Sequence, residues 1–189
     1  MGRPKEFRRE EILPKALAVF WEKGLSETTV QDIERATGVN KSGLYSEFKN
    51  KEDIFLASLQ YYLENRGGEP VLSAEPQGWD NIERFLEIGL TCFAGMRGCF
   101  SVNSMRDVHL LPPQGHQMIA AKNAGLKRLI VNNIKAEAPS ANTGSLADII
   151  LTFYSGLCIE QNMDPSNTST RRKIHSFMDF LRRNAASSS

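Results

Sequence analysis

Lys41, Ser42, Tyr45 and Lys49 stand close together and share a chemistry: ammonium, hydroxyl and phenol groups that bond phosphate oxygens and the edges of bases. Leu44 and Phe48 are spaced i, i+4 among them and would pin one face of a short helix to a core. Lys41, Ser42, Tyr45, Ser46 and Lys49 would then point outward, and Gly43, with no side chain, would let the backbone approach a partner closely. Lys51 begins the next helix, where an ammonium and a helix N-terminus together suit a phosphate. A second set lies further on. Cys99 follows Arg97-Gly98 at the expected start of a helix, a setting that favours thiolate; the alternative is a buried, inert thiol. Asn103, Arg106, Asp107 and His109 share a short segment before Pro112-Pro113. Arg106 could grip an anionic ligand through two parallel bonds, and could equally pair with Asp107 or water. Phe153 and neighbouring Met and aromatic residues could line a pocket for a small molecule, though the same spacing describes plain core.

The elements that must position these groups have a period near 3.6 almost throughout. Ile12, Leu13, Ala16, Leu17 and Phe20 mark a first helix, with Pro14 in its first turn and Gly24 as a left-handed stop. Thr29-Val30-Gln31-Asp32 is a capping box with Asp in place of Glu, and it opens a short second helix that Gly38 ends. Asn40 caps a third, and Asn50-Lys51-Glu52-Asp53 a fourth, with the stripe Ile54, Phe55, Ser58, Leu59, Tyr62. Residues 65–78 are rich in Gly and Pro and read as a hinge. Five more helices are expected: from Trp79 to about Phe93, from Cys99 to His109, from Gln114 to Glu137, from Ser145 to Leu157, and around Ile174 to Leu181. The expected fold is all-α, about nine helices: a three-helix head over 1–50, helix four (51–66) as connector, and a larger helical body over 67–189.

Two short helices joined by a tight, Gly-containing turn make a helix-turn-helix arrangement, whose second helix fits the major groove of B-DNA. From spacing alone, an ordinary helical hairpin in a core fits as well. The string Ile12…Ala16-Leu17…Phe20…Gly24…Thr28-Thr29-Val30…Asp32-Ile33…Ala36-Thr37-Gly38-Val39…Lys41-Ser42-Gly43-Leu44-Tyr45…Phe48-Lys49-Asn50-Lys51-Glu52 is more specific. It resembles the DNA-binding head of tetracycline-repressor (TetR)-type transcriptional regulators. The opening Gly2-Arg3-Pro4-Lys5-Glu6-Phe7 is similar to their N-terminal arm.

The resemblance implies a two-fold dimer on double-stranded DNA, its reading helices roughly 34–36 Å apart or a little more. Lys41, Ser42, Gly43 and Tyr45 would meet bases and nearby phosphates; Thr28, Thr29, Lys49 and Lys51 would hold the backbone. Two positions depart from the pattern. Glu34 replaces a small residue, and Glu47 puts a carboxylate near phosphates unless it turns away or pairs with Lys51. The body is expected to bind a small-molecule effector that releases the DNA, and Cys99, Asn103, Arg106, His109 and Phe153 are the candidate sensor residues. Cys99 also resembles a cysteine in an electrophile-sensing branch of the family, so a thiol-sensing repressor is the alternative. The last two helices supply the expected dimer contact: Ile149, Ile150, Phe153, Leu157, Ile174, Phe177, Met178 and Leu181, with Gly156 permitting close approach. The opposing expectation is that both helices complete the monomer core.

Composition agrees with this frame and excludes others. The 189 residues are 41% hydrophobic and 24% charged, with a net charge of +1, as in ordinary globular proteins. No uncharged apolar run approaches the roughly 18 residues of a membrane span, and no secretory signal is expected, so a cytoplasmic protein is. Residues 1–63 hold ten basic and ten acidic side chains, an unusual balance for a DNA-binding head. Three dispersed cysteines (Cys92, Cys99, Cys158) make neither a disulfide framework nor a zinc set. His109 and His116 are seven apart, but Pro112-Pro113 breaks the helix that would align them, so no metal site is expected. No phosphate loop, dinucleotide glycine pattern, His-Glu-x-x-His or nucleophile elbow occurs, so no cofactor, catalytic residue or enzyme activity is expected; a helical enzyme is the remote alternative.

Overall fold

The structure is a computed structural model that describes residues 9–88, 96, 98–164 and 169–186. Every element among the described residues is helical: α1 (Arg9–Glu27), α2 (Val30–Thr37), α3 (Lys41–Glu47), α4 (Lys51–Asn65), α5 (Glu69–Leu72), α6 (Trp79–Ile88), α7 (Phe100–Ser104), a 3-10 turn (Met105–Leu110), α8 (Pro113–Glu137), α9 (Thr143–Met163) and α10 (Thr170–Ala186). The nine expected helices are present, and the short α5 falls inside the Gly- and Pro-rich hinge. Leu90, Cys92 and Phe93 of the expected fifth helix lie outside the described residues, as does the Arg3/Lys5 arm.

The chain divides into two compact units. The first combines residues 1–65 with 103–118. In it, α1 packs along α4 and against α2 and the 3-10 turn, and α2 packs on α3. Ile12, Ala16, Leu17, Phe20, Ile33, Leu44, Phe48, Ile54, Phe55 and Leu59 are buried there. The rings of Phe20 and Phe55 meet edge to face at 5.3 Å, and those of Trp21 and Tyr62 at 5.1 Å. Gly24 does not end α1 as a left-handed cap. Its φ of 80° is paired with an extended ψ of 174°, which kinks the helix and lets it run on to Glu27, with Leu25 buried beyond the kink. Gly38 is the left-handed stop of α2, at φ 74° and ψ 10°.

The second unit combines residues 66–102 with 119–189. Its core joins Leu72, Ile82, Phe85, Leu86, Ile130, Ile134, Ile150, Leu157, Ile174, Met178 and Leu181. Among the polar side chains buried in this unit, Asn133 is wholly enclosed. Asn133 accepts from Gly78 N–H (2.9 Å) and Asn81 Nδ2 (3.0 Å) and donates to the carbonyls of Leu72 (2.7 Å) and Leu129 (2.9 Å). Its hydrogen-bonding capacity is filled, so burial carries no desolvation penalty, and the turn between α5 and α6 is tied to α8.

Candidate nucleic-acid interface

The head's geometry follows from its caps. Thr29 accepts from Asp32 N–H, and the Asp32 carboxylate accepts in return from Thr29 N–H (3.0 Å) and its hydroxyl (2.8 Å), completing the expected capping box. Lys23 reaches the same carboxylate at 2.7 Å. These bonds, the Lys23 ammonium first, hold Asp32 well below the usual carboxylate range. Asn40 caps α3 by accepting from Gly43 N–H at 2.8 Å. Glu34, on α2, accepts from Lys41 N–H, so two side-chain acceptors already occupy the N-terminus of α3. That contact is the structural use of the residue that departs from the pattern of small residues.

Between these caps Leu44 and Phe48 are buried, and Lys41, Ser42, Tyr45, Ser46, Glu47 and Lys49 face outward. Tyr45 is 38% exposed, and the Lys41 ammonium lies 5.8 Å from its ring centre. Gly43 is partly covered. Lys41, Ser42, Tyr45 and Lys49 are thus all exposed within nine residues of chain. Thr29 is exposed beside its cap. Glu47 pairs with Arg9 rather than Lys51: Arg9 donates to the Glu47 carbonyl at 2.5 Å and approaches its carboxylate at 3.7 Å. The head thus counters this carboxylate with a cation from α1.

Two candidates lie elsewhere. Thr28 is only 1% exposed, and its hydroxyl donates to the Gly24 carbonyl at 2.6 Å, closing the kinked end of α1. The Lys51 ammonium donates to the carbonyls of Leu25 (2.8 Å) and Thr28 (2.9 Å), tying α4 to the end of α1. Sequence reasoning missed this bond because its acceptors are backbone groups far back in the chain. Lys23 and Arg9 were equally unmarked, and the bond that Glu34 makes was not foreseen, for their partners lie on other helices.

Of the sensor candidates, Cys99 and Phe153 belong to the second unit and Asn103, Arg106 and His109 to the first. Cys99 is buried, Asn103 half-buried and His109 exposed. Arg97 and the Arg106 side chain lie outside what is described. Phe153 stacks on Phe177 with ring centres 3.9 Å apart. Of the dimer candidates, Ile150, Leu157, Ile174, Met178 and Leu181 are buried inside the second unit, Phe153 and Phe177 are half-buried, and Ile149 is exposed. The apolar groups open to solvent on α9 and α10 are instead Ile149, Ile159, Met163 and Phe180. Gly156 is exposed on α9, with nothing near the position a Cβ would take. Among the described residues no group of three metal-ligating side chains occurs, and no helix is long and apolar enough to cross a membrane.

A capped pair of short helices with a left-handed glycine between them, set on a third helix, is a helix-turn-helix unit. Residues 12–58 match the model of the bacterial regulatory proteins of the tetR family. The HTH-type transcriptional repressor ComR of Escherichia coli (strain K12) is 34% identical over 109 residues, 54% of this chain and 52% of ComR. The chain thus spans about half the length of that relative. Among solved structures, a TetR transcriptional regulator from Chloroflexus aurantiacus J-10-FL superposes with a TM-score of 0.80 at 21% identity, covering 92% of this chain and 93% of that one. A cysteine mutant of the TetR family transcriptional regulator CifR, complexed with 26-bp double-strand operator DNA, gives 0.75 at 22% identity, covering 96% and 98%. At these identities the structural likeness establishes the fold.

Proposed function

We propose that this chain is a ligand-responsive transcriptional regulator, a homodimeric repressor that binds a palindromic operator in double-stranded DNA and releases it when a small-molecule effector binds. The observation that carries the reading is the outward side of α3 and the turn that follows it, with Lys41, Ser42 and Tyr45 exposed on the helix and Lys49 exposed just beyond it, over a buried Leu44 and Phe48. A helix of this size enters a major groove, where Lys41 and Tyr45 reach base edges and Lys49 neutralises phosphate. With Lys41 and Gly43 amides already bonded to Glu34 and Asn40, the side chains and not the helix N-terminus do the reading.

The exposed face of α9 and α10 supports the dimer: Ile149, Ile159, Met163 and Phe180 form apolar surface that a second copy would cover, and Gly156 admits a helix at close range. Effector control then follows by linkage. DNA selects one separation of the heads, effector selects another, and each weakens the other by the same factor. Nearly complete release needs a differential affinity of about 10⁴-fold, or about 5.5 kcal/mol. α4 ends where the two units divide, at Asn65, and is the lever in this scheme. The repressor acts in the cytoplasm, with no reaction of its own to catalyse.

The test is capture of fragmented genomic DNA by the purified chain at two salt concentrations, followed by sequencing, with Tyr45→Ala as control. A short palindrome that survives the higher salt and is lost with Tyr45→Ala is expected, because nonspecific phosphate contacts fade steeply with salt. Equal, salt-labile capture of all fragments by both proteins overturns the reading.

A further inference from the structure

Cys99, immediately before α7, and Cys158, within α9, are both buried in the second unit. Their thiols hydrogen-bond to each other, and neither is in a disulfide. The backbone fixes the approach. Gly98, at φ 76°, lies so close to α9 that a Cβ there would stand 2.9 Å from the Cys158 carbonyl oxygen and 2.7 Å from Asn162 Oδ1. Polar groups gather around the pair. Ser101 Oγ is 3.0 Å from Cys99 Sγ, Tyr154 hydrogen-bonds to Cys158, and the charge of Arg66 acts on the same thiol. Two cysteines chosen only to fill space need neither a hydroxyl, a phenol nor a guanidinium beside them.

We infer that Cys99 and Cys158 form a redox-active dithiol, closed to an intrachain disulfide by a peroxide. The pair is asymmetric. The hydrogen bond to Cys99, and then burial, push the Cys158 thiol far up, so Cys158 keeps its proton and Cys99, just before α7, is the sulfur that attacks. The Cys99 sulfur attacks one oxygen of hydrogen peroxide while its own proton passes to the other; the O–O bond breaks, that second oxygen leaves as water, and Cys99 is left as a sulfenic acid. The Cys158 sulfur then attacks the Cys99 sulfur; its proton leaves with the sulfenic hydroxyl as a second water, and the S–S bond forms. Two thiols and one peroxide become one disulfide and two waters. A disulfide of about 2.05 Å is far shorter than any thiol hydrogen bond. The sulfurs must therefore close on each other, and because Gly98 already touches α9, residues 98–101 and the Cys158 turn move together. The inference concerns the thiols alone and stands or falls apart from the DNA-binding reading.

The reduced, full-length chain is incubated with hydrogen peroxide, alkylated in denaturant and digested with trypsin without reductant. Cleavage after Arg97, Arg106, Lys135 and Arg171 isolates each cysteine. The expected product joins peptide 98–106 to peptide 136–171, lighter by two hydrogens than their sum and separated by dithiothreitol. Cys158→Ser leaves a Cys99 sulfenic acid that dimedone traps, and Cys99→Ser leaves Cys158 reduced over the same time. If wild-type Cys158 remains alkylatable while Cys99 is overoxidised, or Cys99 couples to Cys92 or to a second chain instead, the dithiol is refuted.

Discussion

Replacing Lys51 by Met separates two roles that this lysine could play. Methionine keeps the length of the stem and removes only the ammonium. In the structure that ammonium donates at 2.8 Å to the Leu25 carbonyl, in the last turn of α1, and at 2.9 Å to the Thr28 carbonyl, just beyond it. A hydrogen bond from a charged donor contributes about 1.5–3 kcal/mol, and two that share one donor contribute less than their sum. The site is half-buried, so some water returns to the carbonyls, and a loss of about 2–4 kcal/mol is expected. For a chain of this size that is a fall in apparent Tm of roughly 4–16 °C. The matched control is Lys49→Met. Lys49 is exposed, so its stability change should lie within about 0.5 kcal/mol. Its affinity for DNA should fall and the salt dependence should flatten by about one unit in slope. The assay is thermal unfolding by far-UV circular dichroism, beside fluorescence-anisotropy titration of operator DNA over a salt series. If Lys51→Met melts with the wild type while Lys49→Met does not, the assignment of Lys51 to the α1–α4 junction is refuted.

Three further outcomes are expected. Phe180→Glu, alone or with Ile159→Glu, should convert a dimer to a species of 21.1 kDa in size-exclusion chromatography with light scattering; an unchanged dimer mass places the interface elsewhere. Asn133→Ala removes four bonds and strands buried partners, including Gly78 N–H, so urea unfolding should show a loss of about 2–4 kcal/mol, and a loss below 1 would contradict the network's role. Asp32 is held below its ordinary value of 3.8 in the folded chain, so the unfolded chain takes up the proton first as pH falls. Its stabilising effect is complete above about pH 5 and is lost below about pH 4, down through the folded value. Stability of wild type and Asp32→Asn should therefore differ by a constant amount near neutrality and converge in acid; parallel curves down to pH 2 would refute the Lys23–Asp32–Thr29 cluster.

Helical periodicity made the element order legible, because each helix buries one stripe and the stripe is written locally. The capping box at Thr29 and the cap at Asn40 were legible for the same reason: donor and acceptor are three residues apart. Lys51, Thr28 and Glu34 were not, since their partners are backbone groups on another helix or across a kink that a lone Gly24 does not announce. The apolar content of α9 and α10 was plain, yet both helices carry apolar residues on two sides. Sequence cannot tell which side the core takes, and packing assigned it Ile150, Leu157, Ile174, Met178 and Leu181. Cys158 read as packing because its partner thiol lies on a distant segment.

The first unit is assembled from two separate stretches of chain, 1–65 and 103–118. The later stretch supplies the 3-10 turn that packs on α1, and Gly115, whose Cβ position would lie 3.4 Å from Leu56 and 3.9 Å from Leu59 on α4. During synthesis, domains generally fold from the N-terminus as residues emerge. Here α1 to α4 leave the ribosome first and wait, with the Leu56–Leu59 side of α4 uncovered, until residue 118 follows. A gene fragment stopping at the end of α4 therefore encodes an incomplete module. Transplanting this head onto another protein requires carrying residues 103–118 with it.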